Sequence, residues 1–180
     1  MEKKFPLKPF GTQLWTRETA RPIRARLVND LELLREGDVL TIDASGVDVF
    51  DFSFAAELFG KALSRLGVDY PGRFVIADGL SEAARENLNQ ALEAASLIMI
   101  ERHGNEYRLL GKVHPFDGET FTAILEAGEA VSAGALGKKL DVTATAMNER
   151  LSKLNTLGIV RREKSSSASG REQYIYKVMR

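Results

Sequence analysis

The feature that most constrains the fold of this 180-residue chain is a tight connection between two short helical patterns near its carboxyl end. The first pattern begins after Ser132, a residue type that favours helix N-caps, and continues to Leu140. Asp141-Val142-Thr143 follows, and Thr143 is a good N-cap for the second pattern. Apolar residues then recur at helical spacing on one side of the second helix: Met147, Leu151 and Leu154. The sequence therefore predicts two helices joined by a three-residue turn.

Segments on both sides of these two helices complete the pattern. Residues 119–127 predict a preceding amphipathic helix. Gly158 is a natural stop for the last helix, after which residues 159–162 and 173–178 alternate as strands do. The serine-rich stretch 165–170 between the two strands is too polar to pack into a core and indicates an exposed loop tip. A helix-turn-helix followed by a hairpin is the order of elements in a winged helix-turn-helix domain.

The same stretch closely resembles bacterial winged helix-turn-helix repressors, and the resemblance covers about residues 117–180. It is carried by Leu140-Asp141-Val142-Thr143-Ala144-Thr145-Ala146-Met147-Asn148-Glu149-Arg150-Leu151 and by the later residues Leu154, Leu157, Gly158, Ile159 and Val160. The family binds duplex DNA, commonly as homodimers, with the second helix in the major groove and the hairpin, or wing, on the backbone or minor groove. The resemblance implies these DNA-binding residues: Thr143, Thr145, Asn148, Glu149, Ser152, Lys153, Arg161, Arg162, Lys164 and Arg171.

The chemistry of these side chains suits duplex DNA in part. The hydroxyl groups and the helix N-terminus at Thr143 suit phosphate contacts, and Asn148 matches the donor and acceptor of adenine. The predicted reading face has no arginine, and Glu149 lies where the family frequently has a basic residue. The alternative is that this domain docks a protein and that Arg161 and Arg162 are solvated strand residues.

Charge is distributed unevenly along the chain. The whole sequence has 25 basic and 25 acidic side chains and no formal net charge. Residues 136–180 hold 10 bases and 4 acids, a local charge of +6. The negative phosphates of a nucleic acid attract positive charge. This last quarter is therefore better suited to bind nucleic acid than the other segments of the chain are.

The earlier part of the chain alternates strand and helix patterns and predicts an α/β layer. A strand at residues 13–15 precedes a helix in which Pro22 is expected in the first turn. Further patterns predict a helix over about residues 53–66, a hairpin across Gly104-Asn105, and a domain boundary at residues 111–115. We therefore predict two domains, residues 1–112 and 113–180.

The segments Thr41-Ile42-Asp43-Ala44-Ser45-Gly46-Val47 and Phe52-Ser53-Phe54-Ala55-Ala56-Glu57-Leu58-Phe59-Gly60 resemble a STAS-like domain family of unassigned function. The resemblance covers about residues 10–111. Related anti-sigma factor antagonists carry a serine at a helix start whose phosphorylation controls binding to a kinase-like ATPase, and Ser53 matches that position. Here Asp51 is separated from Ser53 by Phe52, whereas those antagonists have Asp-Ser. The alternative to a regulatory phosphosite is that Ser53 caps the helix.

Two further clusters of charged residues in this domain could form a binding site or have only a structural role. Asp43, Asp48 and Asp51 lie near a strand's carboxyl end, where a Mg²⁺ site is conceivable, but loop aspartates more often form turns. Four arginines are predicted on the helix side opposite its apolar residues: Arg17, Arg21, Arg24 and Arg26. Arg17, Arg21 and Arg24 have the helical spacing to share an anion, and the alternative is a solvated charged face.

Composition excludes several classes of site and argues against an enzyme. The chain has no cysteine and only two histidines, His103 and His114, so thiolate chemistry and a histidine-rich metal centre are excluded. The common phosphate, dinucleotide, hydrolase and zinc-protease motifs do not occur, and no cofactor is expected. Neither a signal peptide nor a membrane span is predicted. The sequence predicts a cytoplasmic transcriptional regulator whose STAS-like domain senses a signal or partner; the alternative is a protein-interaction switch in a partner-switching pathway.

Overall fold

The computed structural model describes residues 1–166, 170 and 172–179. The chain divides into two compact units, Met1–Val113 and His114–Arg180, and both mix helices with strands. Among the described residues, no helix is long and apolar enough to cross a membrane.

The first unit is built on a five-stranded mixed sheet in the order β1-β3-β5-β6-β7. All neighbouring strands are parallel except β6 and β7, which form an antiparallel hairpin across Gly104 and Asn105, as predicted. A separate parallel pair, β2 and β4, lies outside the sheet. The strands of this unit are β1 Glu2–Pro6, β2 Gln13–Leu14, β3 Val39–Asp43, β4 Val49–Phe50, β5 Phe74–Asp78, β6 Ile98–His103 and β7 Glu106–Gly111.

Helices connect the parallel strands and cover one face of the sheet. Alternate residues of the strands, such as Leu40 and Ile42 of β3, join the buried faces of the helices in one apolar core. A π-helical turn, Ala56–Gly60, links two of the helices. The helices of this unit are α1 Arg17–Leu33, α2 Phe52–Ala55, α3 Lys61–Asp69 and α4 Glu82–Ala94.

The start of α1 differs from the prediction. The helix begins at Arg17, because the Thr16 hydroxyl accepts a hydrogen bond from the Thr19 amide and caps the chain there. Pro22 therefore lies in the second turn and not in the first. In the second turn, a proline removes one amide donor from the hydrogen bonds of the helix.

Strand β1 was not predicted, because Glu-Lys-Lys-Phe-Pro lacks the alternation of apolar and polar residues that indicates a strand. Phe5 is its one buried residue. It pairs with β3 over its whole length, from Glu2 opposite Val39 to Pro6 opposite Asp43. The sheet topology places β1 at an edge, where charged side chains and a proline are tolerated.

The second unit consists of three helices and a three-stranded antiparallel sheet in the order β8-β10-β9. The first helix begins at Pro115, four residues before its predicted start, and the predicted N-caps Ser132 and Thr143 are confirmed. Its elements are α5 Pro115–Ala127, β8 Val131–Ser132, α6 Ala133–Leu140, α7 Ala144–Thr156, β9 Val160–Ser166 and β10 Glu172–Val178.

The connection between α6 and α7 depends on a close backbone approach. Asp141 adopts a left-handed conformation, with φ of +52°, and its amide bonds to the Gly137 carbonyl. A Cβ at Gly137 would lie 2.7 Å from the carbonyl oxygen of Val142. The turn can therefore pass over α6 only because residue 137 has no side chain.

Candidate nucleic-acid interface

Helix α7 has one buried side and one exposed polar side. Met147, Leu151 and Leu154 are fully buried, which confirms their predicted place in the core. The opposite side carries predicted DNA-binding residues that are all exposed: Thr145, Asn148, Glu149 and Ser152. Their three- and four-residue spacing aligns them as a stripe along the helix. We call these four residues the α7 stripe.

Thr143 lies at the start of this helix and is also exposed. Its side-chain oxygen accepts a hydrogen bond from the Ala146 amide, 3.3 Å away. The hydroxyl hydrogen is still available as a donor, because capping uses only an oxygen lone pair. Thr143 can therefore cap α7 and donate to an anion at the same time.

The two basic residues of α7 are held by the first helix of the unit. Lys153 donates to the carboxylate of Asp117, which is 3% exposed. Arg150 donates to Glu119 over 3.2 Å, and its guanidinium lies 4.4 Å from the centre of the Phe116 ring. Because the ion pair already neutralises Lys153, a DNA contact by this residue, as predicted, would gain less than one by a lysine without an ion pair. Sequence alone gave no signal for the pair, since its members lie 36 residues apart.

We expect Lys153→Met to lower the stability of the second unit by about 1–3 kcal/mol, because the buried Asp117 carboxylate loses its charged partner. Hydrogen exchange at α5 and α7 amides measures this loss. Lys138→Met, at an exposed residue with no ion pair among the described residues, is the matched control and should leave stability within about 0.5 kcal/mol. If the two variants lose the same stability, the ion pair has no structural role.

The hairpin of β9 and β10 has two chemically different faces. Val160, Tyr176 and Val178 are buried and mark the face that packs toward the helices. Side chains directly opposite in an antiparallel pair share a face, so the register assigns the exposed residues of each face. Arg162, Lys164 and Tyr174 continue the helix-side face, whereas Arg161, Glu163 and Lys177 occupy the other.

The cations of the two faces differ in whether they form ion pairs. Arg161 bonds to Glu163 over 2.8 Å on the outer face. On the helix-side face, Arg162 lies over the Tyr174 ring at 4.6 Å, and neither Arg162 nor Lys164 has an ion pair among the described residues. Two of the four predicted hairpin cations are thus brought together on one face. Arg171, the fourth, lies outside the described residues.

The predicted cap at Ser53, in the first unit, is wrong. Asp51 is the N-cap of α2, because its carboxylate accepts hydrogen bonds from the Phe54 amide at 2.7 Å and from the Thr16 amide at 3.2 Å. Ser53 lies within the first turn and is half-buried, with no side-chain hydrogen bond among the described residues. One carboxylate oxygen therefore fixes two chain segments, which a serine at residue 53 does not reach.

We expect Asp51→Ala to destabilise the first unit by about 1–2 kcal/mol, because both amides lose their acceptor. Ser53→Ala should change stability by less than about 0.5 kcal/mol. The midpoint of urea unfolding followed by Trp15, the single tryptophan of the chain, measures both variants. A larger loss from Ser53→Ala than from Asp51→Ala would reverse this assignment.

The other clusters predicted in this unit are mainly structural. Asp43 accepts from the Ser45 amide, and no group of three metal-binding side chains occurs among the described residues. Arg24 pairs at 3.2 Å with Glu57, a carboxylate that is 1% exposed. Burial raises the pKa of Glu57, but the hydrogen bond and charge of Lys61, together with Arg24, outweigh burial and keep the pKa below its ordinary value.

Two exposed aromatic residues follow the paired strands β2 and β4. Trp15 is 46% exposed and directly follows β2, and Phe52 is 37% exposed and lies two residues beyond β4. The Thr16 amide bonds to Asp51, which brings the two segments together beside Ser53. We call Trp15 and Phe52 the aromatic pair.

Comparison with known proteins finds a distant structural similarity. No protein-family model matches the sequence, and no curated protein matches it. Among solved structures, the chain is similar to one titled "Possible transcriptional regulator from Methanosarcina mazei Go1", with 22% sequence identity and a TM-score of 0.35. The match covers 38% of this chain and 57% of that chain. At this level, the likeness does not extend to function.

Proposed function

We propose that the second unit is a winged helix-turn-helix domain that binds duplex DNA, and that the chain is a transcriptional regulator and not an enzyme. One observation carries the proposal: the exposed α7 stripe lies in the same unit as a hairpin face with Arg162 and Lys164, two cations that form no ion pair with any described residue. Polar groups on a helix suit base edges, and cations on a hairpin suit phosphates.

The chemistry of the α7 stripe matches particular base edges. An α-helix fits the major groove, where Asn148 matches the N6 donor and N7 acceptor of adenine. Glu149 can accept from the N4 amino group of cytosine, so an acidic residue at this position is compatible with base reading. Thr145 and Ser152 offer hydroxyls to either bases or phosphates. With both cations of α7 held by α5, we assign sequence preference to α7 and charge neutralisation to the hairpin.

For the first unit, we propose a STAS-like domain that receives a signal or a protein partner. Its mixed sheet with helices on one face provides a rigid support for loops at the strand ends. This part of the proposal rests on the sequence resemblance, and the aromatic pair is the surface that we assign to partner contact.

Selection of duplexes from a randomised pool tests the DNA-binding function. The full chain should enrich a sequence with adenine at a position where Asn148→Ala removes the preference, at a cost of about 1–3 kcal/mol in discrimination. Enrichment of no sequence, or an unchanged preference in Asn148→Ala, would contradict base reading by this residue. A selected site with two-fold symmetry and half-sites about one helical turn apart would support the predicted homodimer.

A second candidate function is favoured by the aromatic pair: docking to a kinase-like ATPase in a partner-switching pathway. Phosphate on Ser53 would lie two residues after the Asp51 carboxylate at the same helix start, so like charges oppose it. Docking is therefore proposed without requiring that modification. Titration of a purified kinase-like ATPase should give binding that Trp15→Ala with Phe52→Ser abolishes. If tight binding to the ATPase occurs and duplex DNA binding does not, this function replaces the first.

A further inference from the structure

Tyr174 lies among the cations of the hairpin and outside the core. On β10 it is two residues before Tyr176, which is 2% exposed, whereas Tyr174 is 42% exposed. Its direct cross-strand partner is Lys164, and Arg162 is the diagonal neighbour on the same face. The core therefore uses one of two tyrosines on this face, and the other remains open to a ligand.

The contact between Arg162 and Tyr174 fixes the orientation of a cation. The guanidinium carbon lies 4.6 Å from the ring centre, within the range of a cation–π interaction. A guanidinium that lies over a ring retains N–H donors for hydrogen bonds to an anion. Because the side chain is already ordered, binding an anion costs it less conformational entropy than a free arginine would lose.

The surrounding charge indicates the class of ligand. Arg162 and Lys164 flank the ring, and the acid assigned to the same face, Glu172, lies farther out, opposite Ser166. An aromatic surface between two cations suits a polyanion with a regular apolar element, which the alternating phosphates and deoxyriboses of DNA provide. A protein partner would need acidic residues on both sides of an apolar group. The +6 charge of residues 136–180 instead favours DNA, whose regularly spaced phosphates attract positive charge over a longer range.

We propose that Tyr174 is a DNA-binding residue that packs against the sugar–phosphate backbone and orients Arg162 toward a phosphate. This inference rests on the proposed DNA-binding function. It adds a residue that has no charge and that contributes equally to all duplex sequences. The alternation of residues 173–178 puts Tyr174 and Tyr176 on one face, but sequence does not show which of the two is exposed.

The test is a fluorescence-anisotropy titration of the full chain against two labelled duplexes of unrelated sequence, at two salt concentrations. Tyr174→Leu should weaken binding to both duplexes by about three- to tenfold, since it removes the ring and its contact with Arg162. The slope of log affinity against log salt should stay unchanged, because no charge is lost. Tyr174→Phe should bind within about twofold of the parent chain, since it keeps the ring.

Matched variants separate this role from an effect on folding. Gln173→Leu introduces the same side chain on the outer face and should bind as the parent does. Tyr174→Thr also removes the ring but keeps a strand-favouring residue, so it should show the same loss if the ring, and not a disturbed hairpin, is responsible. In an Arg162→Ala background, Tyr174→Leu should cost less, because the two residues act together.

Each contrary outcome has a distinct meaning. If the parent chain binds DNA and folded Tyr174 variants bind equally well, Tyr174 is not a DNA-binding residue and the proposed function stands. If the loss occurs with only one duplex, Tyr174 reads bases and the backbone assignment is wrong. If the parent chain itself does not bind either duplex, the proposed function fails and this inference fails with it.

Discussion

Replacing both Arg162 and Lys164 by alanine is expected to weaken binding to every duplex by at least about tenfold at low salt. Each cation that neutralises a phosphate contributes about 0.9 to the slope of log affinity against log salt, so the slope should fall by about 1.8. These two side chains share the helix-side face of the hairpin and have no ion pair among the described residues. Anisotropy titrations of the parent and the double variant over a salt series measure both changes.

The control is the double variant Arg161→Ala with Lys177→Ala. It removes the same charge from the outer face, where Arg161 is already bound to Glu163. We expect less than about a threefold change and little change in the salt slope, because neither residue neutralises a phosphate. Equal losses from the two double variants would mean that only the total charge matters and that the hairpin has no DNA-binding face.

Gly137→Ala is expected to destabilise the second unit by about 1–3 kcal/mol, although alanine is the better helix former. The added Cβ would lie 2.7 Å from the Val142 carbonyl oxygen, a backbone atom that moves only with the turn. A displaced turn also displaces α7, so DNA affinity should fall with stability. Hydrogen exchange at α6 and α7 amides measures the stability loss, and anisotropy measures affinity.

Gly134→Ala is the matched control in the same helix. A Cβ there would meet nothing within 4 Å, so the change should stabilise the unit by about 0.5–1 kcal/mol. Opposite signs at the two glycines are the expected result. If Gly137→Ala also stabilises the unit and leaves affinity intact, the turn is not held by this close approach.

Local signals predicted the second unit best. Ser132 and Thr143 cap helices through bonds to residues three positions ahead, and Gly158 follows the last helix with φ of +71°. Such interactions depend on neighbours in sequence, so a sequence pattern contains them. The alternation of the hairpin strands similarly follows from a period of two.

Interactions between distant segments could not be predicted. Asp51 and Ser53 are both good N-cap residue types, and the bond from the Thr16 amide to Asp51 belongs to a neighbouring segment that sequence does not reveal. Lys153 has the spacing of an exposed residue, yet the buried Asp117 engages it. Strand β1 gains its hydrogen bonds from β3 and needs no strand pattern of its own.

These differences change the assignment of roles at the candidate interface. The sequence placed ten residues in one group: six at the N-cap or within α7, and four around the hairpin. The structure distinguishes Lys153 and Arg161, which are in ion pairs, from the exposed α7 stripe and from Arg162 and Lys164. It also adds Tyr174, whose exposure depends on where the hairpin leaves the core.

The most direct test of the central claim is an anisotropy titration of the full chain with a labelled duplex at increasing salt. Duplex DNA binding by the second unit predicts saturable binding at low salt that weakens linearly on a double-logarithmic plot, with a slope of about −2 or steeper for two or more phosphate contacts. Absence of binding at low salt would contradict the assignment of α7 and the hairpin to DNA. A slope near zero would contradict the role of Arg162 and Lys164.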